Sequence, residues 1–157
     1  MDDKVAIIMG SISDKETMEK AAEILNELDI SYEMKVLSAH RTPELLFEYI
    51  SYLEKNNFKI IIAGAGGAAH LPGVIASKTM LPVIGVPIET KVLGGLDSLL
   101  SIVQMPSGVP VATMGIGNAK NAGLMAAHIL AIENSKIRER LKDYREAMVQ
   151  KIKDIKI

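Results

Sequence analysis

Apolar positions along this chain arrive in short blocks that switch between two periodicities. Lys4–Met9 (Lys-Val-Ala-Ile-Ile-Met) is a continuous run closed by Gly10, the pattern of a strand covered on both faces in a parallel sheet. Helical spacing takes over at 15–28, with Ser13 and Glu16 placed as a capping box. The alternation then repeats. Further strands are predicted at 32–37, 59–63, 83–86 and 110–114, and further helices at 44–55, 71–79, 96–104 and 118–132. Strands and helices alternating at this spacing form βαβ units with right-handed crossovers. The expected fold is α/β: a flavodoxin-like, three-layer αβα sandwich with a five-stranded parallel sheet of order 2-1-3-4-5 and an extra C-terminal helix.

That last helix follows a different pattern. Ile137, Leu141, Tyr144, Met148, Ile152 and Ile155 recur at steps of four and three, a narrow stripe with charge around it. The chain therefore divides into a flavodoxin-like catalytic domain, 1–134, and a C-terminal helix, 135–157. The stripe fits packing on its own domain, and it equally fits docking on a neighbouring subunit. Charge divides at the same place: 10 Lys+Arg against 15 Asp+Glu in 1–134, and 8 against 4 in 135–157. A basic tail can contact nucleic acid, but this one alternates with acids and carries only Tyr144 as an aromatic, so a solvated helix face is expected and no nucleic-acid partner.

Composition narrows the classes further. Hydrophobic residues make up 48% of the chain, enough that some apolar surface is expected to lie between subunits. With no cysteine, a disulfide framework, a thiol nucleophile and a Cys-ligated metal are all excluded. The longest apolar run, 60–76, is interrupted by Gly, His and Pro and cannot span a membrane. The acidic Met1-Asp2-Asp3-Lys4 start leads straight into a strand, so no signal peptide is expected and the location is expected to be cytoplasmic.

In a sheet of order 2-1-3-4-5 ligands bind beyond the strands' carboxyl ends, where the order reverses between strands one and three. The loops there are 10–14, 38–43 and 64–71, and each carries candidate chemistry. Ser38-Ala39-His40-Arg41-Thr42-Pro43 sets an imidazole beside the only arginine before Arg138. Thr42 suits an N-cap and Pro43 the first helical position, so Arg41 would share an anion site with a helix start. His40 is the best acid–base candidate, because an imidazole titrates near neutral pH. Ser11, Ser13 and Asp14 serve either as helix caps or as ligands to a phosphate and to sugar hydroxyls. Gly64-Ala65-Gly66-Gly67-Ala68-Ala69 fits a loose G-x-G-x-x-A pattern, but it follows the third strand and the helix begins too late for a dinucleotide site. Such small residues either allow tight packing or let the backbone touch a flat ligand. His70 would contact ligand or cap a helix, and His128 reads as a structural mid-helix residue. The histidines lack metal-ligand spacing and no carboxylate cluster accompanies them, so no metal is expected.

Together, Gly10-Ser11-Ile12-Ser13-Asp14, the 38–43 stretch, Ala63 through Gly73, and Asp97-Ser98-Leu99 through Gln104-Met105-Pro106 resemble the PurE family, over about 5–132. Arg41-Thr42-Pro43 and Ala69-His70-Leu71-Pro72-Gly73 resemble its class I form. One departure is visible: Gly117-Asn118-Ala119-Lys120-Asn121-Ala122 is about two residues shorter than the usual class I loop.

The resemblance implies a cofactor-free, metal-free mutase of de novo purine biosynthesis. It would convert N5-carboxyaminoimidazole ribonucleotide to 4-carboxy-5-aminoimidazole ribonucleotide by decarboxylation and recarboxylation. Matched residue by residue, Ser11 and Arg41 would bind phosphate with Ser13 and Ser38, and Asp14 the ribose hydroxyls. Ala65, Gly66, His70 and Leu71 would line the base and carbon dioxide pocket, and His40 would shuttle the proton. The family also implies a homo-octamer, a C-terminal helix reaching a neighbour, and a functional link to N5-carboxyaminoimidazole ribonucleotide synthetase.

Two rivals stand beside this reading. One is a class II aminoimidazole ribonucleotide carboxylase using carbon dioxide directly. The other is a non-enzymatic flavodoxin-like nucleotide-binding or signalling module. The second would want a ring-stacking aromatic in the first- or third-strand loop, or an acceptor Asp where Ala63-Gly64 stand.

Overall fold

The computed structural model describes residues 3–155; Met1 and Asp2, half of the sequence read above as lacking a signal peptide, and the last two residues of the tail lie outside them. Five parallel strands, β1 (Lys4–Met9), β2 (Ser31–Val36), β3 (Phe58–Ala65), β4 (Val83–Pro87) and β5 (Ala112–Thr113), pair in the order β2-β1-β3-β4-β5. The helices between them are α1 (Lys15–Glu27), α2 (Pro43–Lys55), α3 (Leu71–Ala76), α4 (Leu96–Val103) and α5 (Ala119–Leu130), and α6 (Ser135–Lys153) ends the chain. The predicted architecture and strand order are both present. Among the described residues no helix is long and apolar enough to cross a membrane.

Because side chains alternate along a strand, the continuous apolar runs feed two separate cores. Val5, Ile7 and Met9 join Ile60, Ile62, Ile84 and Val86 under α1 and α5. Ala6, Ile8, Ile61 and Ala63 face Leu46, Ile50 and Leu53 of α2, Ile75 of α3 and Ile102 of α4. The layers approach closely where glycine permits it. A Cβ on Gly64 would collide with the Met18 sulfur, and one on Gly123 with Ile24, so glycine sets the depth at which α1 sits on β3 and α5 on α1.

Several local expectations change. The Ser13–Glu16 capping box does not form. Ser11 instead caps a 3-10 turn, Ile12–Asp14, which runs directly into α1 and satisfies the first donors in its place. Pro43 does begin α2, but the Thr42 hydroxyl turns back, accepting from the Ser38 N–H at 2.9 Å and lying 3.2 Å from its carbonyl oxygen. Gly64 and Ala65 belong to β3 rather than to the loop, because pairing with β4 continues to Pro87. Strand β5 is only two residues long at the sheet edge.

The tail divides along its length. Ile137 and Leu141 are buried in the α1–α5 core and Tyr144 packs against it, while Met148, Ile152 and Ile155 are exposed. Arg140 fixes the near half of α6, donating to the carboxylate of Asp29 at 2.6 Å and to the Leu28 carbonyl at 3.1 Å.

Candidate active site

Strand β1 is bonded on both sides as far as its end: the Leu37 N–H donates to Met9 O, and the Gly10 N–H to Gly64 O. Beyond that point the chains leaving β1, β2 and β3 part, and a cleft of about 340 Å3 opens between them. Every candidate site residue named above lines it: Ser11, Ser13 and Asp14 from the first loop, Ser38, His40 and Arg41 from the second, Ala65, Gly66, His70 and Leu71 from the third.

The polar end is built from two loops that grip each other. Arg41 Nη2 donates to the Gly10 carbonyl at 2.9 Å, and its backbone N–H donates to Ser38 Oγ at 3.2 Å. The guanidinium therefore bridges the ends of β1 and β2 and stays exposed to the cleft. Ser11 Oγ accepts from the Ser13 N–H at 3.3 Å and from the Ser13 hydroxyl at 2.9 Å, so the two hydroxyls stand together. Asp14, only 8% exposed, sits beneath them. Burial pushes its carboxyl above the ordinary aspartate range, opposed by a hydrogen bond from the Ser11 backbone and by the Arg41 charge. A cation, two hydroxyls and a carboxylate in this order can hold a phosphate at one side and vicinal hydroxyls at the other.

His40 projects from a turn closed by the Thr42 N–H to Ser38 O hydrogen bond. Its Nε2 lies 2.7 Å from His70 Nδ1, with the rings edge-on at 89°. A hydrogen bond at this distance has one ring nitrogen donating and the other accepting, so His70 is a partner of His40 as well as pocket wall. His70 does not cap α3 through its side chain. His128 lies within α5, exposed beside Tyr144 and Arg145 and outside the cleft.

The far wall is small and apolar. Ala65, Gly66, Ala68 and Leu71 face the cleft, and Gly66 approaches Ile88 so closely that an added Cβ would lie 3.4 Å from the isoleucine Cβ. Three wall residues went unnoticed in the sequence: Ile88, Glu89 and Thr90, which follow β4. Strand order alone could have found them, since β4 neighbours β3 and its exit must border the same cleft. The 115–118 loop packs behind this wall, the Gly117 N–H donating to Pro87 O at 2.8 Å.

Fold and cleft define the class: a doubly wound α/β protein with a histidine pair and an arginine- and hydroxyl-lined end at its switch point. Residues 4–151 match the sequence pattern of the AIR carboxylase family. An N5-carboxyaminoimidazole ribonucleotide mutase of Pyrococcus abyssi is 63% identical, covering 92% of this chain and 83% of its own. The mutase of Escherichia coli is 52% identical over 95% and 89%. The crystal structure of Treponema denticola PurE superposes with a TM-score of 0.89 at 32% identity, over 96% of this chain and 94% of that one. The chain belongs to the AIR carboxylase family, and the PurE resemblance read from its motifs holds.

Proposed function

We propose that the cleft converts N5-carboxyaminoimidazole ribonucleotide to 4-carboxy-5-aminoimidazole ribonucleotide, with His40 moving the one proton the rearrangement requires. Relatives at 52–63% identity that carry the mutase name support the activity. The observation that carries the residue roles is the meeting of His40, the Arg41–Ser11 anion end and the Gly66 wall in one cleft.

The chemistry suits these residues. Arg41, Ser11, Ser13 and Ser38 anchor the phosphate, and Asp14 accepts from the ribose hydroxyls, which places the imidazole ring toward His40 and the small wall. As the N–C bond to the carboxyl group breaks, carbon dioxide leaves and the nitrogen takes a proton from His40. Carbon 4 of the electron-rich ring then attacks the carbon dioxide, and the C4 proton returns to His40. Atoms balance within the substrate, and His40 ends as it began. His70, at 2.7 Å, holds the imidazole in place and shares its proton. The wall of Ala65, Gly66 and Leu71 confines carbon dioxide by shape, since a neutral gas offers no charge to grip.

Assembly belongs to the same proposal. Val92, 89% exposed, and Leu93 stand exposed just before α4, Leu96, Leu100 and Val103 are exposed along it, and Met148, Val149 and Ile152 are exposed on α6. These two exposed apolar groups, on opposite sides of the sheet, support a homo-oligomer, an octamer by family resemblance, with the far half of α6 on a neighbouring subunit. We place the protein in the cytoplasm, working after a synthetase that carboxylates the exocyclic nitrogen.

Two substrates test the reaction. The enzyme should turn over N5-carboxylated nucleotide efficiently, and turnover of only aminoimidazole ribonucleotide with bicarbonate would assign it to the class II carboxylases instead. His40→Asn should abolish turnover while leaving nucleotide binding intact, and retained activity refutes the shuttle. Truncation after Tyr144, which spares the buried Ile137 and Leu141, should lower the number of subunits per particle in light scattering; an unchanged number would place the far half of α6 away from any subunit contact.

A further inference from the structure

We propose that Ser98 is a positioning residue that holds the small-residue wall shut against escape of carbon dioxide. The proposal rests on the reaction assigned above. Ser98 does not line the cleft. It lies in the first turns of α4 with no exposed surface, yet its hydroxyl joins both halves of the wall.

A serine hydroxyl has one proton to give and lone pairs to accept with. Ser98 Oγ donates to the Ile88 carbonyl at 2.7 Å and accepts from the Gly67 N–H at 3.0 Å. Ile88 is the last wall residue paired to β3, its N–H donating to Ala65 O at 2.9 Å. Gly67 lies between Gly66 and Ala68, which face the cleft, and its φ of +68° is a left-handed geometry that the loop must be held in. One atom therefore sets the spacing of the Gly66–Ala68 backbone against Ile88. No side chain in that loop is large enough to wedge itself in place, so the hydrogen bond does what packing does elsewhere.

The surroundings keep that atom fixed. Asp97, its neighbour on α4, accepts from Thr90 Oγ1 at 2.7 Å, and Thr90 Oγ1 accepts from the Gly95 N–H at 3.2 Å. The loop after β4 is thus strapped to the start of α4. Ser101, one turn on, donates to Asp97 O at 2.7 Å and lies 3.3 Å from Gly67 O. Phosphate and ribose are held by other loops. Loosening the wall should leave substrate binding alone and change the fate of the released gas.

The measurement is the partition between 4-carboxylated product and aminoimidazole ribonucleotide released with carbon dioxide, on full-length enzyme and after subtracting uncatalysed decarboxylation. Ser98→Ala should raise the released fraction several-fold, with KM little changed, and should admit more label from 13C-bicarbonate into product. Ser98→Cys keeps the shape but is a poor donor, so it should leak similarly; Ser98→Thr, which keeps the hydroxyl, should retain the gas better than either. Normal partition in both Ala and Cys variants overturns the proposal. If those variants do not fold, hydrogen exchange in the wild-type 66–71 segment decides: a protected Gly67 amide is expected, and exchange at the rate of an open peptide overturns it. Wild-type enzyme that does not convert N5-carboxylated substrate removes the assigned reaction itself, whereas converting wild type with non-leaking variants removes only the role of Ser98.

Discussion

Asp14 is held at a cost to the empty protein, and replacing it should show this. The residue is 8% exposed, with the Ser11 backbone and the Arg41 charge offsetting part of the lost hydration, and its pKa is raised. Asp14→Asn keeps an acceptor for the Ser11 N–H and removes the charge. At neutral pH the unliganded variant should therefore be more stable, by about 1 kcal/mol for one such relieved group. In a chain of this length that is about 2–4 °C in Tm. The pH dependence has a defined sign. Native wild type takes up its proton at a higher pH than the unfolded chain does, so wild-type stability gains on the variant as pH falls through the raised native pKa. The gap should close below the ordinary aspartate range. Thermal melts of ligand-free protein across acid to neutral pH test this, alongside substrate affinity, which should fall in the variant if Asp14 binds the ribose. A variant less stable than wild type at neutral pH, or a gap independent of pH, refutes the reasoning.

Two further outcomes can be checked. Arg41→Lys keeps the charge but loses the fork that spans Gly10 O and the ligand; one charge-assisted hydrogen bond is worth about 1.5–3 kcal/mol, so steady-state kinetics should show KM raised roughly ten- to a hundredfold. Gly64→Ala pushes a methyl into the fully buried Met18 side chain and should cost about 1–3 kcal/mol in urea unfolding; combined with Met18→Ala the two changes should cost less than their sum.

Much of this molecule was legible in one dimension. Continuous apolar runs closed by glycine located the parallel strands, since a strand buried on both faces has no polar side to interrupt it. Strand order and the switch point followed from the βαβ rhythm, and they brought loops 10–14, 38–43 and 64–71 to one place before any distance was known. Residue type named His40 and Arg41, because few side chains can move a proton near neutral pH or fork around a phosphate.

Other features depended on through-space partners. Ser13 and Glu16 had the spacing of a capping box, yet Ser11 won the role because the chain leaves β1 in a 3-10 turn. The stripe on α6 was visible, but its division into a buried near half and an exposed far half depends on where α1 and α5 end. The contact of His40 with His70, thirty residues apart, and the use of Ser98 by Gly67 and Ile88 exist only after folding. Sequence by itself determined which elements form and which side chains are candidates for chemistry, because periodicity and residue type are local. Tertiary structure alone decided which of those side chains meet and which hydrogen bonds run behind the wall, because hydrogen bonds are made by distance in space and not along the chain.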